Sequence, residues 1–181
     1  MSVLDTLITD RTLTDVENVK AAYRRGEVID SKGQYRYTDL NRVETAVEYM
    51  AAAFVQAQAD LEDYAESVGV QWDHYYDMPY DTTVFENIVI KENWAEGDRP
   101  SAAQMNRYHG NLLLVRNALP TAAPLPESMY GLDYEGANQI EQMLIMANED
   151  LARTVELKKS FINSSADAYR SGEIYSGEGD A

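Results

Sequence analysis

LNRVETAVEYMAAAFVQAQADLEDYAESV, residues 40–68, sets Leu40, Val43, Val47, Met50, Phe54, Ala57, Leu61, Tyr64 and Val68 at alternating steps of three and four. That is the a/d ladder of a helix packing one narrow apolar seam against other helices. At the rise of an ideal helix the stretch is about 45 Å long, more than the width of a small domain. The seam requires a cover, either from the chain's own helices or from another subunit, and the ladder alone leaves both open. It decides that the fold is helical and elongated; it names no chemistry.

The neighbouring segments extend the helical reading. Thr38 or Asp39 is a good N-cap for the ladder helix, which is expected to end near Ser67 with Gly69 closing it. Upstream, Thr14 and Glu17 have capping-box spacing, and Gly26 marks the stop of a shorter first helix. Downstream, Ser101 with Gln104 makes another capping box. Met105, Tyr108, Leu112, Val115 and Leu119 repeat the three-four step, and Pro120 ends the run. A last long helix is expected from about Asp133, with Ala137, Ile140, Leu144, Ala147 and Leu151 at core spacing and Lys158 and Lys159 near its end. Residues 70–98 are the least helical part. The β-branched Val84, Ile88, Val89 and Ile90 predict an irregular excursion or one or two short strands.

The fold class expected is therefore mainly α: an antiparallel bundle of three long helices with a shorter N-terminal one, and an excursion at about 70–98. The domain reading is an arm at 1–13, a bundle at 14–170 and a flexible tail at 171–181, whose three glycines leave no core pattern beyond Ile174 and Tyr175. Pro124 and Pro126 make 121–128 a stiff extended connector.

Composition removes several function classes. The chain has 181 residues, with 15 basic against 31 acidic and a net charge of −16. Such a surface repels phosphate backbones and anionic lipid, so neither nucleic acid nor membrane is an expected partner, whereas a basic protein is. No cysteine is present, which excludes disulfides and thiolate chemistry. Met1 to Asp5 do not read as a signal peptide, and no apolar run approaches the roughly 18 residues that span a bilayer. Synthesis in a cytoplasm is expected. Thirteen tyrosines against three phenylalanines favour surfaces that are apolar yet keep a polar tip.

Candidate chemistry is sparse. His74 lies among Asp73, Asp77 and Asp81, a set of donors that matches neither an EF-hand loop nor a zinc motif, so no metal site is assigned. Tyr75, Tyr76 and Tyr80 in the same segment read better as an aromatic contact patch. His109 lies just off an apolar stripe and is expected to be structural. No nucleophile elbow, Walker loop or dinucleotide fingerprint is present. The sequence at 163–165 fits a glycosylation acceptor without a secretory context. No catalytic residue and no cofactor is assigned, and the protein is read as not an enzyme.

Several segments carry a family resemblance: LDTLITDRT (4–12), YTDLNRV (37–43), Trp94 with RPSAAQM (99–105), LPESMYGL (125–132), ANQIE (137–141) and SGEIYSGE (171–178). Together they resemble a family of small proteins encoded among the tail and baseplate genes of tailed phages and prophages of Gram-positive bacteria. The segment near Asp73–Asp81 is longer than the family pattern. The resemblance implies a virion structural protein of the tail tip, baseplate or a fibre, present in several copies as a homo-oligomer among other tail or baseplate proteins. It brings no catalytic residues. Contacts are expected through the arm (Leu4, Leu7, Ile8), the tyrosine segment (Tyr75, Tyr76, Tyr80), the connector (Leu125, Met129, Tyr130) and the tail (Ile174, Tyr175). The rival expectation, drawn from the charge, is a soluble acidic adaptor or regulator of a basic host or phage protein.

Overall fold

The computed structural model describes residues 2–120 and 123–171. Its five α-helices are α1 (Leu13–Arg24), α2 (Tyr37–Ser67), α3 (Thr83–Glu86), α4 (Ala102–Ala118) and α5 (Tyr134–Ser171). Two single 3₁₀ turns, Val3–Thr6 and His74–Tyr76, complete the regular structure, and no strand occurs among the described residues. The protein is mainly helical, as the ladder required.

The ladder is the core of the chain itself. Leu40, Val43, Val47, Met50, Phe54, Ala57 and Leu61 are all buried, and Tyr64 is half-buried at the far end of α2. Helix α5 supplies the largest cover with Ile140, Met143, Leu144, Ala147 and Leu151, and α4 adds Tyr108, Leu112 and Val115. Full burial of such side chains is worth roughly 1.5–3 kcal/mol each, so this seam is the main source of cohesion.

Helices α2 and α5 run in the same direction. Arg42 near the start of α2 meets Glu141 near the start of α5 at 3.0 Å, and Tyr64 Oη donates to Asn163 Oδ1 at 2.9 Å near their far ends. The antiparallel neighbours expected from short connections are corrected for this pair. The reason is the connection: residues 68–133 carry the chain back through the excursion and α4, and parallel elements need a long return of that kind.

Helix boundaries differ from the expected ones where two signals competed. Thr12, not Thr14, caps α1: Thr12 Oγ1 accepts from Asp15 N at 3.2 Å and Asp15 Oδ2 accepts from Thr12 N at 2.8 Å. For α2 the cap position is Arg36, whose N–H donates to Asp39 at 2.7 Å, so Asp39 acts from inside the first turn. The box at Ser101 and Gln104 forms as expected. Gly26 and Gly69 follow α1 and α2 with φ of +75° and +77°, a region that costs other residues strain. Helix α5 continues well past Lys159, because Ile162 and Ala166 extend its buried stripe.

The excursion is irregular and pinned by side chains. Val70, Tyr76, Met78, Phe85 and Trp94 insert into the core. Its β-branched run has no neighbouring strand; instead side chains of α2 and α4 take its backbone groups. Asn41 Nδ2 donates to Trp94 O and Asn41 Oδ1 accepts from Trp94 N, both at 2.9 Å. Asn111 Nδ2 donates to Val89 O at 2.9 Å. Such partners satisfy backbone groups that a strand would otherwise pair.

Candidate functional site

A polar cluster lies where the N-terminal segment, α2 and α5 meet. Arg11 is buried, and its guanidinium donates to Asp39 Oδ1 at 2.9 Å and to Glu141 Oε1 at 2.6 Å. Arg42 binds the same two carboxylates, reaching Glu141 Oε1 at 2.8 Å and Asp39 through a shorter contact. Glu141 also accepts from Ile8 N at 2.5 Å. Asn138 completes the clamp: its Oδ1 accepts from Arg11 N at 3.0 Å and its Nδ2 donates to Arg11 O at 2.9 Å. Two arginines face two carboxylates, so the cluster is neutral and each charge has close partners. That pairing is what makes burial of four charges tolerable.

Around this cluster lie Tyr35 and Tyr108, whose hydroxyls are 2.6 Å apart. Burial raises the pKa of both phenols, so they stay neutral far into the alkaline range. Burial acts against the charge of Arg42, yet hydrogen bonds to Glu141 and Asp39 outweigh it and hold its pKa above the ordinary value. A second pair, half-buried Arg107 with buried Glu44, joins α2 to α4: Arg107 Nη1 donates to Glu44 Oε2 at 3.0 Å, and Lys91 N donates to the same oxygen at 3.3 Å. Both ion networks tie segments distant in sequence, and their groups are consumed by one another. The arrangement locks the body rather than presenting a reactive group.

Sequence reasoning missed these groups, although a signal was present. Glu44 lies four residues after Leu40 and three before Val47, on the buried face, and Glu141 lies three before Leu144. A carboxylate on a core stripe demands a buried cation, but Arg11 and Arg107 are too far along the chain to be matched by spacing.

The residues expected to make contacts have separate fates. Leu4 and Leu7 pack against the chain's own core, and Ile8 is half-buried beside Glu141, so the arm is docked intramolecularly up to Arg11. The boundary expected at residue 13 therefore cuts through the clamp. Of the three loop tyrosines only Tyr75 faces outward, 66% exposed. Tyr76 is buried between Trp72 and Phe161, and Tyr80 donates to Phe54 O at 3.1 Å while its ring stands edge-on to Phe54. The three tyrosines are thus one exposed, one buried and one half-buried against the core. Leu125 and Met129 are half-buried, and Tyr130 is 97% exposed. Ile174 and Tyr175 lie outside the described residues.

His74 Nδ1 stands 2.7 Å from Asp73 at the surface, and His109 Nε2 is 2.6 Å from Pro126 O. Among the described residues no three histidine or carboxylate groups are placed to hold a metal ion, and no helix is long and apolar enough to cross a membrane.

Two surface depressions mix apolar and polar residues in their walls. The first, about 690 Å³, lies between the end of α1, residues 34–37, 95–100 and 129–132, with Tyr37, Met105, Met129 and Leu132 in its wall and Tyr23 and Val28 standing exposed at its edge. The second, about 710 Å³, runs along the outer side of α2 under the excursion. Comparison with protein-family models, with curated proteins and with solved structures gives no match to this chain.

Proposed function

We propose that this chain is a non-catalytic structural component of a tailed-phage particle, built in several copies into the tail tip, the baseplate or an attached fibre. The phage assignment rests on the resemblance of the six segments described above. The observation that carries the assembly reading is the state of one of them, 125–132. Tyr130 stands almost fully in solvent, and Met129 and Leu132 line the first depression together with the exposed Tyr23 and Val28. A clamped helical body with large apolar groups left outside suits a part that is completed by neighbours. The charge of −16 favours a second reading, an acidic adaptor for a basic protein.

Mass spectrometry of purified particles, with copy number measured against the major tail protein, separates the two. Stoichiometric presence is the expected result. Absence from intact particles, with the protein abundant in the producing cell, overturns the virion reading in favour of the adaptor.

A further inference from the structure

The depression along α2 combines a small apolar floor with acids that have no ion-pair partner. Ala51, Ala52 and Val55 form the floor, and Phe85, Ile88 and Ile90 form the opposite wall. Glu48 and Glu86 border it, and none of its lining residues is basic. Glu92 reaches the same rim, where Thr45 Oγ1 donates to it at 3.2 Å. The buried carboxylates Asp39, Glu44 and Glu141 all have arginine partners, whereas among the described residues Glu48, Glu86 and Glu92 have no cation within ion-pair distance. Glu48 and Glu92 instead face each other, and the close approach of the two carboxyls with their mutual repulsion raises the pKa of Glu48.

We propose that this groove receives a short amphipathic helix of a partner protein, which lays small apolar residues on Ala51, Ala52 and Val55 and sets lysine or arginine against Glu48 and Glu92. Residues 48–56 span about 12 Å, or two helical turns, which matches apolar anchors at i, i+3 or i+4 and i+7 on an incoming helix. Alanines on the floor allow close approach of the partner's backbone, since interaxial distance follows side-chain size. A cation brought to the Glu48–Glu92 pair replaces carboxyl repulsion with attraction. The exposed Val84 and Val89 at the edge add apolar area next to the wall. A second copy of this chain is the wrong sign for that rim, because it too carries 31 acidic against 15 basic residues. The proposal rests on reading the chain as a component that binds a neighbour.

The probe is a synthetic amphipathic helix of alanine, leucine and lysine, with a glutamate-for-lysine counterpart, titrated into the full chain. Binding is followed by fluorescence anisotropy and by amide chemical shifts. Binding of the lysine peptide, with shifts confined to α2 residues 48–56 and excursion residues 85–92, is the expected result. Ala52→Trp fills the groove from an exposed position and abolishes binding. Glu48→Gln with Glu92→Gln weakens it about tenfold, since two surface charge pairs together are worth about that factor. Glu66→Gln, an exposed acid elsewhere on α2, leaves it unchanged. Equal binding of the glutamate peptide, no loss with Ala52→Trp, or no binding at millimolar peptide overturns the proposal. Sedimentation showing a dimer that Ala52→Trp dissolves overturns it in favour of a second copy. A chain found in particles that binds no peptide refutes the groove alone, whereas one absent from particles that still binds refutes only the virion assignment.

Discussion

Replacing Arg11 with methionine tests whether the N-terminal segment is clamped by charge. The side chain is 1% exposed and donates to two carboxylates, at 2.9 Å and 2.6 Å, while its Nε lacks an acceptor. Hydrogen bonds to charged groups are worth about 1.5–3 kcal/mol each, so two give about 3–6 kcal/mol. Methionine restores roughly 1 kcal/mol of apolar burial. One arginine, Arg42, is then left for both Asp39 and Glu141, and breaking a buried pair leaves an uncompensated charge. Arg42 is 15% exposed, so water reaches one side and softens the penalty. The expected loss is about 3–5 kcal/mol, a fall in Tm of roughly 6–20 °C for a chain of this size. Urea unfolding followed by circular dichroism gives the value. Adding Asp39→Asn restores neutrality, and the double-mutant cycle should return a coupling of about 1–3 kcal/mol. A single-mutant loss below about 1 kcal/mol, or no coupling, would refute a clamped segment and return Leu4, Leu7 and Ile8 to the list of free adhesive groups.

Phe54→Asp places a carboxylate in the fully buried centre of α2, against Tyr80 and Phe85 at ring distances of 4.9 and 4.7 Å, and should cost several kcal/mol, read as loss of helicity near room temperature. Gly33→Ala would set a Cβ 2.2 Å from Asp15 O, a backbone atom that cannot swing aside, so the 31–35 loop must lift from α1 at a cost of about 1–3 kcal/mol in urea unfolding. The buried phenols give a pH signature. Their folded pKa values are raised, so the unfolded chain ionises first, and stability is complete below about pH 10 and falls as pH rises beyond it. Absorbance at 295 nm should show Tyr35 and Tyr108 ionising only with the loss of helical signal; free ionisation in the folded chain would contradict their burial.

The sequence was a good guide wherever the decisive partners are near in the chain. The three-four steps of Leu40 to Leu61 and the Ser101–Gln104 box are local signals, and α2 and α4 follow them. Thr14 with Glu17 and Thr12 with Asp15 are equally good boxes by spacing. The choice fell to Arg11, whose backbone Asn138 holds from another helix. The tyrosines of the excursion differ in burial for a similar reason. Tyr75 and Tyr76 are adjacent and chemically identical, and the one that turns inward meets Phe161 on α5 as well as Trp72 nearby. The groove bordered by Glu48 and Glu92 was invisible to spacing because its two walls are joined only by the return of the excursion across α2.

The clamp also dictates an order of events. Arg11 and Glu141 are 130 positions apart, so the segment before α1 is held by a helix made much later. During synthesis α2 emerges with its apolar seam bare, and its principal cover, α5, is still inside the ribosome. Contacts this distant give high contact order, and the entropy of closing so long a loop must be met before they stabilise anything. Folding of the clamp therefore waits until α5 has been made. Until then the nascent chain exposes a helix-length hydrophobic strip, which makes it a client for holding chaperones and prone to premature self-association. A truncation that ends before α5 should accumulate as aggregate, whereas one that loses only residues beyond 171 keeps every clamp described here.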